Sequence, residues 1–167
     1  VVYKRLGGVE SVIAKAGSVT YTKGEWFSLG VRARGPVFEV FVDGASVLGF
    51  TDADLTSGKV GVGTRECAGA WFDDVEVSIP DPVLTDGFTD SQMGWAVSHF
   101  DAYDNNPQPP EWDESDGVLS MMGPSTRGTA AWTGSTTWTD YVVASRILSN
   151  DNDDVGVVVR FQGDDDH

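Results

Sequence analysis

Acidic side chains occur in small groups along this sequence, and grouped carboxylates are common protein ligands of calcium. The groups are Asp73 with Asp74, Asp86 with Asp90, Asp151 with Asp153 and Asp154, and residues 164–166. Calcium takes about six to eight oxygen ligands from carboxylates and carbonyls. Because the Asp-x-Asp-x-Asp-Gly spacing of an EF-hand is absent, a calcium site here would have to combine groups that are distant in sequence.

The position of Asp73 gives a separate reason to consider a metal. Alternation over residues 72–77 predicts that Asp73 shares a strand face with Val75 and Val77. A carboxylate on an apolar face is costly unless it is paired or bound to a metal. Two interpretations stay open, a structural calcium ion or solvated strand-end aspartates that bond to the backbone. Residues 151–154 and 164–166 are most simply a turn and a solvated acidic end.

Six tryptophans are many for 167 residues, and indole faces stack on the apolar faces of sugar rings. Trp112 lies beside a proline-rich stretch and is the best candidate for an exposed ring. Trp132 lies near a predicted turn at Gly134. We therefore take Trp112 and Trp132 as candidate ligand-binding residues. The remaining strand-associated tryptophans are expected in the core: Trp26, Trp71, Trp95 and Trp138.

Arg160 is the third candidate ligand-binding residue. It lies opposite Val157, Val159 and Phe161 in the alternation, so its side chain is expected to face outward or onto the concave sheet. A guanidinium in that position could bond to sugar hydroxyls or carboxylates. The alternative is that Arg160 pairs with one of the many acidic side chains.

Nucleophilic catalysis is not indicated. The two histidines, His99 and His167, are accompanied by no serine elbow, and Cys67 has no nearby catalytic partner. As the single cysteine, Cys67 cannot form an internal disulfide. It is expected to be a small buried or loop residue.

The elements that position these residues are predicted to be β-strands, because the dominant period of the sequence is two. Asp43-Gly44 between two apolar runs predicts a type I′ hairpin, since both central positions of that turn need positive φ. No segment has a convincing helix pattern, and residues 99–117 are expected to be an irregular loop. The predicted strands cover residues 2–6, 9–15, 26–34, 37–42, 45–50, 59–64, 70–78, 83–88, 95–98, 117–122, 128–133, 141–149 and 155–162. Many short strands separated by glycine-rich turns favour an all-β, two-sheet antiparallel sandwich.

The charge balance excludes several classes of partner. The chain has 26 acidic and 11 basic residues, and its formal net charge is −15. Such a chain repels phosphate backbones and anionic membrane surfaces, so neither nucleic-acid binding nor membrane insertion is expected. The 40% hydrophobic content is that of a globular domain. Because the sequence lacks an initiator Met and targeting segments, we expect it to be part of a longer chain with other domains.

Two sets of motifs point to one family. Residues 21–26 (Tyr-Thr-Lys-Gly-Glu-Trp), 38–44 (Phe-Glu-Val-Phe-Val-Asp-Gly) and 71–77 (Trp-Phe-Asp-Asp-Val-Glu-Val) form the first set. Residues 86–88 (Asp-Gly-Phe), 138–141 (Trp-Thr-Asp-Tyr) and 153–160 (Asp-Asp-Val-Gly-Val-Val-Val-Arg) form the second. Together they resemble the bacterial LamG-like domains of the concanavalin A-like lectin/glucanase superfamily, which implies a jelly-roll sandwich.

The resemblance also implies an unusual order. Residues 1–79 resemble the C-terminal half of such a domain, and residues 80–167 resemble the N-terminal half. The order is explained by an excerpt from a tandem array, which we favour, or by a circular permutation. In either case we expect one closed sandwich, because each half alone would leave a bare hydrophobic sheet. The hairpin expected at the junction pairs residues 70–78 with residues 83–88.

The resemblance implies a non-catalytic extracellular or cell-surface module for carbohydrate binding or adhesion, with a glycan or a surface protein as partner on the concave sheet or its rim. It also implies a structural calcium between Asp73 or Asp74 and Asp90. One alternative is a glycoside hydrolase or lyase of the same fold, because residues 111–115 (Glu-Trp-Asp-Glu-Ser) are similar to an E-x-D-x-E catalytic strand. Ser115 replaces its last carboxylate, so a pair of catalytic carboxylates is not indicated there. The other alternative is a structural spacer repeat in a surface protein.

Overall fold

The computed structural model describes residues 1–67, 69–79, 81–90, 94–100, 111–122 and 128–163. These residues form β-strands and no helix, which confirms the predicted all-β class. The strands are β1 (Val2–Leu6), β2 (Val9–Ala14), β3 (Phe27–Arg34), β4 (Val37–Val42), β5 (Ala45–Thr51), β6 (Lys59–Arg65), β7 (Gly69–Ile79), β8 (Asp81–Asp86), β9 (Ala96–His99), β10 (Glu111–Ser115), β11 (Val118–Met122), β12 (Thr129–Thr133), β13 (Tyr141–Ser149) and β14 (Asp154–Phe161). Over these ranges, nothing forms a helix that could cross a membrane.

The strands form two large antiparallel sheets and a separate hairpin. The eight-stranded sheet has the order β10-β11-β7-β13-β3-β4-β5, with β8 also pairing to β7. The four-stranded sheet has the order β14-β6-β12-β9, and β1 pairs only with β2. Phe72 and Ile147 from the larger sheet pack with Val62 and Ala131 from the smaller one in a shared apolar core. The architecture is therefore sandwich-like, with the core between the two sheets.

Strands from both sides of the proline-containing break share both large sheets. In the four-stranded sheet, β6 lies between β14 and β12. In the eight-stranded sheet, β7 lies between β11 and β13. At the junction itself, β7 and β8 form a hairpin in which Ile79 pairs with Asp81. Pro82 lies in β8, whose position at the sheet edge tolerates the missing backbone donor.

Two Asp-Gly turns connect neighbouring strands of the eight-stranded sheet. Asp43 and Gly44 have φ angles of 48° and 77° between β4 and β5, as the predicted type I′ hairpin requires. Asp116 and Gly117 have φ angles of 54° and 76° between β10 and β11. The second turn follows β10, a strand that the sequence analysis did not predict, since residues 99–117 were expected to be irregular. Residues 101–110 of that stretch lie outside the described ranges.

The β1–β2 hairpin is attached to the sandwich by polar contacts at its first strand. Lys4 Nζ lies 2.5 Å from Asp52 Oδ2 and 2.6 Å from Asp54 Oδ2. From the second strand, Glu10 accepts a hydrogen bond from Arg65 at 2.6 Å. Burial by itself raises the pKa of the Asp52 carboxyl, but the hydrogen bond from Lys4 and two backbone donors lower it overall. The hairpin is thus fixed to the connection after β5 and to β6 of the four-stranded sheet.

Candidate functional site

A β-bulge in β7 decides where the Asp73 and Asp74 side chains point. Arg146 pairs with Asp73 and Ala144 pairs with Glu76, so β7 holds one more residue than β13 over this interval. Asp74 takes a φ of 49°, which is uncommon for a non-glycine residue. The inward positions are consequently Phe72, Val75 and Val77, all fully buried. The prediction that Asp73 shares the apolar face with Val75 and Val77 is wrong, because the extra residue shifts the alternation by one.

The bulge places both carboxylates on the face of the eight-stranded sheet that is turned away from the core, here called the outer face. Arg146 Nη1 lies 3.2 Å from Asp74 Oδ2 and 3.5 Å from Asp73 Oδ2. Asp73 Oδ1 accepts a hydrogen bond of 2.7 Å from the Asp74 backbone amide. The side chain of Arg146 is 46% exposed. Its ion pairs are therefore solvent-accessible and contribute little to folding, about 0–1 kcal/mol each.

Trp26 completes this group, and the four residues Trp26, Asp73, Asp74 and Arg146 are called the Arg146 cluster. Arg146 Cζ lies 4.9 Å from the centroid of the Trp26 ring, in a cation–π contact. Trp26 is 37% exposed, so the prediction that it lies in the core is wrong. It immediately precedes Phe27, the first residue of β3. The cluster presents an apolar aromatic surface beside a guanidinium and two carboxylates.

Asp73 and Asp74 share one guanidinium. The positive charge beside the two carboxylates comes from Arg146 and balances one of them. Among the residues that the structure describes, His, Cys, Asp and Glu side chains form no group of three or more that could hold a metal. Asp90, the third predicted ligand, is exposed in the segment after β8. The acidic residues 164–166 lie outside the described ranges.

Trp112 points into the core instead of projecting from a loop. It lies in β10, and its ring stacks on Phe72 with a centroid distance of 5.8 Å. Its indole N–H donates a 2.9 Å hydrogen bond to Thr129 Oγ1. The expected exposure of Trp112 is therefore not observed, because β10 pairs with β11 and turns this side chain inward.

Trp132 lies half-buried on the four-stranded sheet. Its indole N–H donates to Ser98 Oγ at 2.8 Å. Lys59 Nζ lies 3.7 Å from the ring centroid, and the Phe161 ring lies 5.0 Å away at a tilt. A sugar that stacked on Trp132 would have to displace Lys59 or enter beside it.

Arg160 is buried, contrary to the outward orientation expected from alternation. A second bulge, between Val158 and Phe161 of β14, gives Arg160 a φ of 55°. Its guanidinium donates to the carbonyls of three connecting segments, Leu55 O at 2.5 Å, Gly35 O at 2.6 Å and Thr139 O at 3.1 Å. The side chain is 1% exposed and binds backbone oxygens instead of an acidic side chain. Arg160 therefore ties these three connections together.

The carboxylates of residues 111–115 lie in a strand, where only alternate side chains share a face. Glu111 and Asp113 are exposed, whereas Glu114 is buried. Asp113 Oδ2 accepts a 2.5 Å hydrogen bond from Ser115 Oγ. Asp113 pairs with Ser120, which pairs with Trp71, so Asp113 lies on the outer face. The local sequence could have predicted this strand from the Asp-Gly turn that follows it.

Comparison with protein-family models gives no match for this chain. Comparison with curated proteins gives no match either.

Proposed function

We propose that this chain is a non-catalytic carbohydrate-binding module with a jelly-roll, concanavalin A-like fold. The observation that carries the proposal is the Arg146 cluster. An exposed indole can stack on the apolar face of a sugar ring, and the adjacent polar side chains can bond to its hydroxyls. Arg146 lies against the Trp26 ring, so a sugar must displace it or stack beside it. Because the ion pairs of Arg146 are exposed and weak, the guanidinium can move from the ring and bond to sugar hydroxyls at little cost to stability. The resemblance to LamG-like domains supports an extracellular or cell-surface location and an adhesive role.

The resemblance also supports the half-domain origin of residues 1–79 and 80–167. The interleaving of their strands in both sheets agrees with a single closed sandwich. In this proposal the Arg146 cluster binds its ligand without calcium, because the Arg146 guanidinium occupies the position between the two carboxylates. A structural calcium elsewhere would be detected as a rise in melting temperature on adding calcium and a fall on adding chelator.

The experiment is a glycan array followed by calorimetry with the strongest ligand. Trp26→Ala should weaken binding about tenfold, which corresponds to roughly 1.4 kcal/mol. The matched control is Phe41→Ala, because Arg32 Cζ also lies 4.9 Å from the Phe41 ring and pairs with Glu39. The control should bind normally. If the unchanged chain bound no glycan, the spacer interpretation would replace the carbohydrate-binding proposal. If Trp26→Ala and Phe41→Ala bound glycan equally well, the Arg146 cluster would not be the binding site.

A glycoside hydrolase is the second candidate, favoured by the exposure of Glu111 and Asp113 on one face of β10. Two carboxylates at a suitable separation could act as acid and base. The measurement is release of reducing ends from the glycan that binds. Turnover that Glu111→Gln abolishes would establish the enzyme, and binding without turnover supports the module.

A further inference from the structure

A second tryptophan lies on the outer face beside the Arg146 cluster. Trp71 of β7 pairs with Leu148 of β13 and is half-buried, while its neighbours Ala70 and Phe72 are fully buried in the core. The Trp71 ring extends over Gly69, with ring carbons Cη2 and Cζ3 at 3.5 and 3.7 Å from a Cβ built on that glycine. Trp71 therefore lies against the sheet surface instead of entering the core, contrary to the sequence-based expectation.

The two indoles are separated by one strand. Phe27 pairs with Ile147, so Trp26, one residue before β3, lies on one side of this end of β13, and Trp71 pairs with Leu148 from the other side. Adjacent strands are about 4.8 Å apart, so the backbones of the two tryptophans are roughly 10 Å apart across the strands. The Trp26 ring contacts Arg146 and the Trp71 ring lies over Gly69, so the line between the rings crosses the strands obliquely. The backbone spacing is comparable to the length of a disaccharide unit in an extended β-linked pyranose chain. We call Trp26, Leu148 and Trp71 the tryptophan row.

Acidic side chains flank the tryptophan row. Asp73 and Asp74 lie beside Trp26 and Trp71, and Asp113 lies two strands beyond Trp71 on the same face. Arg146 provides a positive charge beside the tryptophan row, and its guanidinium already forms ion pairs with Asp73 and Asp74. The whole chain carries a net charge of −15. An anionic glycan would be repelled at this surface, whereas hydroxyls can donate hydrogen bonds to carboxylates.

We propose that the tryptophan row binds an extended, neutral, β-linked glycan across the strands, with one sugar on Trp26 and the next-but-one on Trp71. This inference rests on the proposed carbohydrate-binding function and specifies its ligand. The carboxylates and Arg146 bond to equatorial hydroxyls along the edge of the chain. Affinity should therefore depend on chain length, because a single sugar reaches only one indole.

The test is calorimetry with neutral β-1,4-linked gluco-, manno- and xylo-oligosaccharides of one to six units. In the best series, tri- and longer oligosaccharides should bind at least tenfold more tightly than the monosaccharide. Trp71→Ala and Trp26→Ala should each remove most of this gain, because either variant leaves only one indole for a sugar. Phe41→Ala is the control on the same sheet, and thermal melting checks that each variant is folded.

A second variant, Leu148→Glu, leaves both indoles in place and puts a charged side chain between them. It should also remove the length dependence. Oligogalacturonides of equal length should bind at least tenfold more weakly than the neutral series. Equal affinity for one and six units, or tighter binding of the galacturonides, would overturn the inference while leaving a carbohydrate-binding module intact. No binding by any array glycan would instead overturn the proposed function.

Discussion

Replacing Arg160 with leucine tests whether this side chain stabilises the fold or binds a ligand. The substitution keeps an apolar stem but removes the donors to Leu55 O, Gly35 O and Thr139 O. Each of these hydrogen bonds from a charged donor contributes roughly 1.5–3 kcal/mol. The acceptor carbonyls are only part-buried, so water replaces some of the lost bonds, and removing the guanidinium recovers part of its desolvation cost; we therefore expect a net loss of about 3–5 kcal/mol. For a chain of this size, that lowers the melting temperature by roughly 10 °C.

The assay is thermal and urea unfolding of the Arg160→Leu chain, with Arg34→Leu as the control because Arg34 is exposed at the end of β3. The control should change stability by less than about 0.5 kcal/mol. At a temperature where both variants are folded, both should bind glycan like the unchanged chain. Stability equal to that of the control, or lost glycan binding in a folded Arg160→Leu chain, would refute the structural role assigned to Arg160.

Gly58→Ala should destabilise the fold strongly or prevent folding, since a Cβ at Gly58 would lie 2.2 Å from the Arg160 backbone carbon. Gly156→Ala should be tolerated, because no atom lies within 4 Å of a Cβ built on Gly156. Urea titration of both variants compares their free energies of unfolding. Because the pKa of Asp52 is lowered in the folded state, its contribution to stability is present above about pH 4 and is lost as the pH falls through the lower folded value. Asp52→Asn should reduce this acid dependence in unfolding curves measured from pH 2 to 5, and an unchanged slope would argue against the Lys4 pair. Burial raises the pKa of Tyr141 to about 12, although the hydrogen bond from the Arg160 amide acts in the opposite direction, so its phenol should remain protonated in ultraviolet titration up to pH 11 in the folded chain, and early ionisation would contradict the burial of the phenol.

Local sequence patterns predicted most of the strands correctly. β3 follows from alternation, and the hairpin between β4 and β5 follows from Asp43-Gly44. The same turn chemistry at Asp116-Gly117 connects β10 to β11, but the acidic and proline-rich surroundings favoured a loop there. These elements are predictable because turn geometry and alternation depend on residues adjacent in sequence.

The candidate site was not predictable in the same way, because two bulges control it. Alternation assumes that each strand advances without an extra residue, and the bulges at Asp74 and Arg160 break that assumption. At the bulge in β7, Asp73 faces outward to Arg146 while Val75 faces the core. Within the bulge in β14, Arg160 turns inward to backbone carbonyls. Non-glycine residues with positive φ leave no reliable pattern in a single sequence.

The sequence by itself determined the all-β class, the turn positions and the acidic character of the surface, since these depend on local conformation and composition. Only the tertiary structure decided which tryptophans are available to a ligand. In the part of the chain that the structure describes, Trp26 and Trp71 lie on a sheet face without a second sheet over it, and Trp112 lies on the face that the other sheet covers. Which face is covered depends on the pairing of strands distant in sequence, and alternation specifies two faces without specifying which of them is buried.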